Sequence, residues 1–258
     1  MCIEGKLINE TEIRNYKKPN IPFISVIVAL FNKEKVLLGS IRSIQNQSLK
    51  NIEIIIVNDA STDNSSKILD SLLEEDSRIR VFTHLKNMGL WRTRVDGFLY
   101  SRAKYVIHFD CEDFYYDNYV LEDIYDLIEK YNLDNIKTVF RSINSYRYLK
   151  NNKLEFKNMN STKILYNKNE MKKVHSEILG WAFGVIWNRL ILSDIYTKGL
   201  YLLSDRVLNI YKNQWEDRWW NALADKMCNN FLLVKRYGYI YYYDGKGEGT
   251  PKMSTEKE

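Results

Sequence analysis

The feature that most constrains the fold of this chain is an alternation of short apolar runs with amphipathic helical patterns over its first half. Four runs rich in β-branched or aromatic residues lie at 23–30, 52–57, 79–83 and 105–109. Helical patterns separate them, at 34–48, around Ile68 to Leu73 and at 88–102. Short apolar runs bounded by turn residues predict buried strands. Strands that alternate with helices in this way predict an α/β fold with a mostly parallel central sheet.

The second half of the chain carries the same signal in a weaker form. It predicts a helix over about 119–131, a strand over 138–143, an ordered apolar segment at 181–187, a helix over about 215–228 and an apolar strand at 231–234. Residues 144–175 are polar and rich in Asn and Lys, which indicates an exposed hairpin or loop. The sequence pattern is therefore weakest over residues 144–175.

Length and composition suit one α/β domain. The chain has 258 residues, of which 45% are hydrophobic and 28% charged, a balance typical of globular proteins. We expect an N-terminal lead over 1–22, a domain over 23–244 and a flexible tail over 245–258. Within the domain we expect two halves, over about 23–118 and about 119–244.

Charge, hydropathy and cysteine content limit the partners. The net charge of +5 is mild and spread along the chain, so it permits anionic ligands and peripheral membrane contact without requiring nucleic acid. No stretch reaches the roughly 18 to 20 apolar residues of a membrane helix, and the N-terminus lacks a signal-peptide core. We therefore expect a cytoplasmic protein. The three widely spaced cysteines argue against a disulfide framework and a thiolate zinc site.

Three carboxylates follow the fourth predicted strand, at Asp110, Glu112 and Asp113. In open α/β sheets ligands bind beyond the carboxyl ends of the strands, so these side chains are candidates for a binding site. Neighbouring carboxylates repel one another, and Mg²⁺ or Mn²⁺ would relieve that repulsion through oxygen ligands. The alternative is a solvated acidic turn that caps a helix.

Four segments together resemble the inverting glycosyltransferases of family 2, whose domain is a single nucleotide-binding α/β unit of the GT-A type. In chain order they are Ser25–Glu34 (SVIVALFNKE), Val57–Asp63 (VNDASTD), Asn87–Arg94 (NMGLWRTR) and Phe109–Asp113 (FDCED). They are similar to the family patterns S-V-I-V-P-x-Y-N-x-E, V-D-D-x-S-x-D, N-x-G-x-x-x-A-R and D-x-D-D. Each pattern alone is weak, but their shared order is specific.

The resemblance implies a nucleotide-sugar donor, with UDP as the expected nucleotide, and a divalent cation, Mn²⁺ or Mg²⁺. It makes residues 23–118 the nucleotide-sugar half and residues 119–244 the acceptor half. The residues implied at the donor are Leu30, Phe31, Asn32 and Glu34 beside the nucleotide, Asp59 at the base, Asn87 and Arg94 at the diphosphate, and Asp110 at the ribose. The residues implied at the metal are Asp110, Glu112 and Asp113. Simpler roles stay open for two of them: Arg94 as a helix-surface cation and Asp59 as a helix cap.

This chain departs from the family patterns at several positions. The departures are Ala29 for proline, Asn58 for aspartate, Thr93 for alanine, Val95 for asparagine and Glu112 for aspartate. Glu112 matters most, because a glutamate keeps the charge but adds a methylene, which changes the distance to any metal.

A fifth segment, Gln214–Trp220 (QWEDRWW), resembles the family's E-D motif at the start of a helix. The resemblance implies that Asp217 is the general base that accepts the proton of the acceptor hydroxyl. Glu216 and the tryptophans Trp215, Trp219 and Trp220 would then lie at the acceptor, although first-turn carboxylates also stabilise helix dipoles and tryptophans are more often core residues.

Two other functions remain open from the sequence. A sugar-1-phosphate nucleotidyltransferase shares this scaffold, but the segment after the first strand, 29–33, has no glycine for a phosphate loop. A catalytically silent nucleotide-binding module would tolerate the departures above. The three histidines, His84, His108 and His175, show no metal-ligand spacing and are expected to be structural. The acceptor is expected to be a glycan, lipid-linked or protein hydroxyl, in a reaction of glycan biosynthesis.

Overall fold

The computed structural model describes residues 2–3, 6–7, 21–144, 163–167, 189–203 and 216–243. The strands are β1 (Cys2–Ile3), β2 (Lys6–Leu7), β3 (Ile24–Leu30), β4 (Ile52–Asn58), β5 (Ile79–Thr83), β6 (Tyr105–Asp110), β7 (Phe114–Tyr115), β8 (Asn135–Asn144), β9 (Lys163–Asn167), β10 (Arg189–Leu192) and β11 (Asn230–Tyr243). The helices are α1 (Leu37–Gln45), α2 (Ser65–Glu75), α3 (Leu90–Leu99), α4 (Val120–Lys130), α5 (Ser193–Tyr201) and α6 (Glu216–Met227).

Nine strands form one sheet in the order β5-β4-β3-β6-β10-β8-β11-β7, with β9 paired to β11. The block β5-β4-β3-β6 is parallel, which confirms the predicted α/β fold with its parallel centre. In the second half β8 and β11 are also parallel, whereas β10, β7 and β9 pair antiparallel with their neighbours. The antiparallel strand β10 thus joins the two halves into one continuous sheet.

Both faces of the sheet are covered. Along β3, alternate side chains point to opposite sides: Ile24, Val26 and Val28 pack into a core cluster with helices α1, α2 and α4, while Ile27 packs into a second cluster with α3, α5 and α6. A strand buried on both faces needs the continuous apolar run that the sequence shows. Two core layers therefore fix the sheet from either side.

Several element bounds differ from those predicted. Strand β5 has the predicted bounds, whereas α3 is shorter than the predicted 88–102, because Gly89 takes a φ of 82° and starts the helix only at Leu90. Strand β11 continues well beyond 231–234, because it pairs with β8 along most of its length. Strand β10 and helix α5 were not predicted.

Some predicted segments are described only in part. The predicted hairpin or loop at 144–175 contains Asn144 at the end of β8 and the strand β9, and the rest of it lies outside the described residues. The predicted segment 181–187 and the tail 245–258 lie outside them as well, and of the lead 1–22 only β1, β2 and the last two residues are described. Among the described helices, none combines the length and the hydropathy that crossing a membrane requires.

Candidate active site

The candidate site lies where the parallel strands end. The sheet register pairs Leu30 with Asn58 and Asn58 with Thr83, so β3, β4 and β5 finish side by side. On the other side of β3, Asp110 at the end of β6 pairs with Ala29. The loops after all four strands therefore meet at one edge of the sheet, which is where open α/β sheets bind ligands.

The backbone of two of these loops is strained. Asn32 after β3 has a φ of 51° and Ala60 after β4 has a φ of 58°. Residues other than glycine rarely adopt positive φ, and such positions concentrate at binding and catalytic sites. The two loops also hold each other: the Asn32 N–H donates to Ser61 Oγ at 3.0 Å, and the Thr62 N–H donates to Asn32 Oδ1 at 2.8 Å.

The other predicted nucleotide neighbours divide into ordering groups and an exposed group. The Glu34 carboxylate accepts the Asn64 N–H at 2.9 Å just before helix α2. Leu30 is buried, and its carbonyl accepts the Asp59 N–H at 2.8 Å. Phe31 in contrast is 41% exposed, so its ring is available to a ligand.

Asp59, predicted at the nucleotide base, is 3% exposed and holds the loop before α3. Its carboxylate accepts the Met88 N–H at 2.7 Å and the Gly89 N–H at 2.9 Å. The same carboxylate lies 2.7 Å from His84 Nδ1, and the other ring nitrogen of His84 lies 3.1 Å from Asp96. His84 therefore connects Asp59 to helix α3, a contact that the sequence analysis did not identify.

Arg94 on helix α3 is the centre of the site. Its side chain is only 2% exposed, and its two terminal nitrogens donate to different carboxylates. Nη2 donates to Asp110 at 2.6 Å, at the end of β6, and Nη1 donates to Asp217, in the first turn of α6. The structure thus brings Arg94, Asp110 and Asp217 together, as the sequence motifs imply, and Arg94 is not a helix-surface cation.

Tyr239 on β11 organises the start of the acidic segment. Its hydroxyl oxygen accepts the Asp110 N–H at 3.0 Å, and its O–H donates to the Asp113 carboxylate. Burial, together with the negative charges of Asp113 and Asp110, raises the pKa of Tyr239 well above its usual value. Asp113 is fully buried and its N–H donates to the Asp110 carbonyl at 3.0 Å.

Lys33, in the loop after β3, forms an ion pair with Glu112. Both side chains are about one-third exposed, at 35% and 31%. Burial lowers the pKa of Lys33, but the Glu112 carboxylate beside it outweighs that effect with help from Asp110, and the pKa is raised overall. Cys111 between the carboxylates is buried, and burial followed by the Glu112 charge raises the pKa of its thiol well above the usual range.

Each of the three carboxylates predicted to bind a metal has another partner. Asp110 binds Arg94, Glu112 binds Lys33, and Asp113 accepts the Tyr239 hydroxyl. Among the described residues, no group of three or more His, Cys, Asp or Glu side chains has the arrangement to hold a metal ion. To hold a divalent cation these carboxylates would first have to give up those partners, and the metal stays a prediction.

The residues predicted at the acceptor lie around helix α6. Trp215 lies outside the described residues, and Glu216 is the first residue of the helix. Trp220 is fully buried against Trp91, Tyr196 and His108, with ring centroids 5.4, 4.5 and 4.7 Å away. It therefore belongs to the core and not to a sugar-stacking surface, because protein groups cover its ring.

Trp219 and Asn87 remain at positions a ligand can reach. Trp219 is partly buried and lies 6.4 Å from Trp91, so it stays a candidate for the acceptor. Asn87 is exposed in the loop before α3, and its Oδ1 accepts the Gly89 N–H at 3.2 Å.

Three residues of the site were missed from the sequence: Lys33, His84 and Tyr239. Lys33 and His84 each lie just past a strand that ends at the site, and that position was the available signal. Tyr239 lies 129 residues from Asp110 in a run of tyrosines, and the sequence gives no sign of which one reaches the site.

Comparison with known proteins places the chain among glycosyltransferases. The profile of glycosyl transferase family 2 matches residues 25–190, which include the acidic segment but end before Asp217. The chain is 28% identical to glycosyltransferase GlyA of Streptococcus pneumoniae over 84% of its own length and 35% of that protein. It is 30% identical to the cholesterol galactosyltransferase of Borreliella burgdorferi over 68% of its own length and 49% of that protein.

Solved structures show the same fold. The S. aureus TarS 1–349 structure in complex with UDP matches 86% of this chain and 60% of that one, with a TM-score of 0.67 and 15% identity. The corresponding structure with UDP-GlcNAc matches 88% of this chain and 60% of that one, with a TM-score of 0.68 and 16% identity. The chain spans between a third and a half of the length of the two curated relatives and 60% of these TarS chains.

Proposed function

The chain belongs to glycosyl transferase family 2, and from this premise we propose that it transfers a sugar from a UDP-sugar donor to an acceptor hydroxyl group with inversion. The contact of Arg94 with both Asp110 and Asp217 carries the proposal. It brings a carboxylate of the nucleotide-sugar half and a carboxylate of the acceptor half to the two terminal nitrogens of one buried guanidinium. A single-displacement transfer needs such an arrangement, with a base on one side of the sugar and a cation near the leaving group.

Asp217 is the proposed general base. As the acceptor oxygen attacks the anomeric carbon, Asp217 accepts its proton, and the bond from that carbon to the diphosphate breaks on the opposite face. In the structure Asp217 is bound to Arg94 through one of its carboxylate oxygens. A bound diphosphate would compete for the guanidinium, because phosphates accept bidentate hydrogen bonds from arginine, and would leave an Asp217 oxygen for the acceptor.

The donor is proposed to be a UDP-sugar. TarS, which shares the fold, has been solved with UDP and with UDP-GlcNAc, and this supports the same nucleotide here. Phe31, 41% exposed, directly follows Leu30, whose carbonyl accepts the Asp59 N–H. A carboxylate has about four acceptor positions, and in Asp59 three of them are taken by His84, Met88 and Gly89. Asp59 therefore retains capacity to accept a hydrogen bond from the base.

The proposal includes a divalent cation bound by carboxylates of the acidic segment. Glu112 and Asp113 are the carboxylates that would hold it, and when bound it would neutralise charge on the departing diphosphate. Glu112 would first have to leave Lys33, and Asp113 the Tyr239 hydroxyl.

The test is a panel of nucleotide sugars offered with glycan, lipid-linked and protein acceptors, with and without Mn²⁺ or Mg²⁺. Wild type should consume at least one UDP-sugar, and NMR of the product should show the inverted anomer. Asp217→Asn should bind UDP as wild type does but lose transfer by about 10² or more. The matched control is Glu75→Gln, because Glu75 also pairs with an arginine, Arg42, away from the strand ends.

Other outcomes identify the alternatives. UDP binding without turnover of any donor indicates a silent nucleotide-binding module. Formation of a UDP-sugar from UTP and a sugar 1-phosphate indicates a nucleotidyltransferase. Wild-type turnover by Asp217→Asn removes Asp217 as the base while leaving the transferase intact.

A further inference from the structure

We propose that Arg189 is a positioning residue for Asp217 and acts through Asn221. The inference rests on the proposed role of Asp217 as the general base. It assigns a role to a second buried arginine, which lies on the strand that joins the two halves of the sheet.

The Arg189 side chain is buried within the second half of the sheet. It opens strand β10, is 1% exposed, and its Nε donates to Asn135 Oδ1 on β8 at 2.9 Å. Its guanidinium carbon lies 5.6 Å from the ring centroid of Phe231 on β11. Arg189 is therefore fixed relative to two strands besides its own.

From this position Arg189 reaches helix α6. Its Nη1 donates to Asn221 Oδ1, and Asn221 Nδ2 in turn donates to the Asp217 carbonyl at 2.9 Å. Asn221 is 4% exposed. Because the arginine can only donate and the carbonyl can only accept, both ends of the Asn221 amide are committed and its orientation is fixed.

Asp217 is consequently held at two points by two buried arginines. Arg94 binds its carboxylate directly, and Arg189 holds its main-chain carbonyl through Asn221. The contact with Arg94 fixes the carboxylate, and the contact through Asn221 fixes the first turn of α6 against β10, so together they define the position and the direction of the carboxylate. Catalysis depends on such placement, because a shift of about 1 Å can cost about 10²-fold in rate.

Stability is a weak reason for this arrangement. Burying an arginine is costly, and apolar side chains of similar volume often serve a core as well or better. A polar chain that ends on the main chain of the proposed base is better explained by placement of that base.

The experiment compares Arg189→Met, Arg189→Lys and Asn221→Ala with a control of similar burial. Glu53→Gln is the control: Glu53 has a side chain 3% exposed that binds Arg80 and Arg102, and it lies near the start of β4, away from the strand ends. We expect kcat to fall about 10- to 100-fold in Arg189→Met and Asn221→Ala, with the donor KM within about twofold. Arg189→Lys should recover part of the loss, and Glu53→Gln should keep wild-type kcat per folded molecule.

Two further measurements make the result decisive. The double variant of Arg189→Met and Asn221→Ala should be no slower than either single variant, since both break one chain of contacts. Amide exchange over residues 217–221 should accelerate in these variants and not in Glu53→Gln. Unchanged exchange there, or kcat equal to that of Glu53→Gln, overturns the proposal; if Arg189→Met fails to fold, Asn221→Ala carries the comparison. If wild type turns over no donor the proposed function fails, and the exchange measurement alone decides whether Arg189 positions Asp217.

Discussion

The Arg94 guanidinium donates a hydrogen bond to the carboxylate of Asp217, which lies 123 residues further along the chain. Arg94 is almost fully buried, whereas 22% of the Asp217 side chain is exposed, so the pair spans the boundary between core and site. Because Arg94 also binds Asp110, one cation balances carboxylates from both halves of the domain. Changes at this residue are therefore expected to affect folding and activity together.

Replacing Arg94 with methionine should lower both stability and activity. Two partly buried carboxylates would lose their shared cation, and breaking a fully buried pair typically costs about 3–5 kcal/mol of unfolding free energy. Because Asp110 and Asp217 are partly exposed, the loss should be smaller, at about 2 kcal/mol or more. Arg94→Lys keeps the charge but cannot form the same two-sided contact, so it should be intermediate. Denaturant unfolding and donor turnover measure both effects. Arg80→Met, which breaks a pair away from the strand ends, should leave turnover unchanged.

The Lys33–Glu112 pair should affect the binding of charged ligands more than it affects the stability of the fold. Ion pairs that are open to solvent contribute about 0–1 kcal/mol to stability, so the free energy of unfolding of Lys33→Met should be close to that of wild type. It should weaken metal-free UDP binding and strengthen Mn²⁺ binding, because the acidic segment loses its cation. Glu112→Gln should do the reverse. Calorimetry of UDP and of Mn²⁺, each alone, tests this, and changes of the same sign in both variants contradict it.

Two histidines should respond in opposite ways to replacement by phenylalanine. His84 bridges Asp59 and Asp96, so His84→Phe leaves two poorly exposed carboxylates without that partner and should cost about 1–3 kcal/mol. His108 is buried without a hydrogen-bond partner for either ring nitrogen among the described residues. Burial, and then the Arg94 charge, lower the pKa of His108 well below its usual value, so it is neutral. His108→Phe should therefore be neutral or stabilising; equal losses in urea unfolding would refute the distinction.

Asp76, at the end of helix α2, should make stability depend on pH in the acid range. Hydrogen bonds from Arg78 lower the pKa of Asp76 from 3.8 to about 2, although burial opposes the shift. A carboxyl whose pKa is lower in the folded state stabilises the protein above its unfolded pKa and loses that contribution as pH falls toward its folded pKa. The stability of wild type relative to Asp76→Asn should be about 1–2 kcal/mol above pH 4 and decline between about pH 4 and pH 2. Arg78→Met should remove the same pH dependence, as measured by urea unfolding at each pH.

Gly97 on helix α3 should not accept a side chain. A Cβ there would lie 2.4 Å from Ile27 Cγ2 and 3.3 Å from Val57 Cγ2, closer than packed carbons approach. Overpacking typically costs about 1–3 kcal/mol, which outweighs the helix propensity gained with alanine, about 1 kcal/mol. Gly39→Ala on α1, whose Cβ would meet only the Phe114 ring at 3.3 Å, is the control and should be neutral or stabilising. Thermal unfolding separates the two, and equal melting temperatures would contradict the prediction.

The sequence predicted the first half of the fold more completely than the second. Strands β3, β4 and β6 are apolar runs whose burial on both faces leaves a clear pattern, and the edge strand β5 has the predicted bounds. Strand β10 has only four residues and begins with Arg189, so it lacks the apolar run that predicts a strand. Its place between β6 and β8 depends on pairing with residues far away in the sequence. The sequence left Trp220 open between an acceptor role and a core role, because its burial follows from packing against α3 and α5, which local sequence does not reveal.

By itself the sequence determined the parallel strands and the edge of the sheet at which the acidic segment, Asp59 and the loop after β3 emerge, because local hydrophobic pattern and chain order are sufficient for that. Only the tertiary structure decided which polar groups bind each other: Arg94 with Asp110 and Asp217, Lys33 with Glu112, and Tyr239 with the backbone of Asp110. These contacts join residues 16 to 129 positions apart. Their geometry is set by how helices and strands pack across the whole sheet, and no local spacing in the chain encodes it.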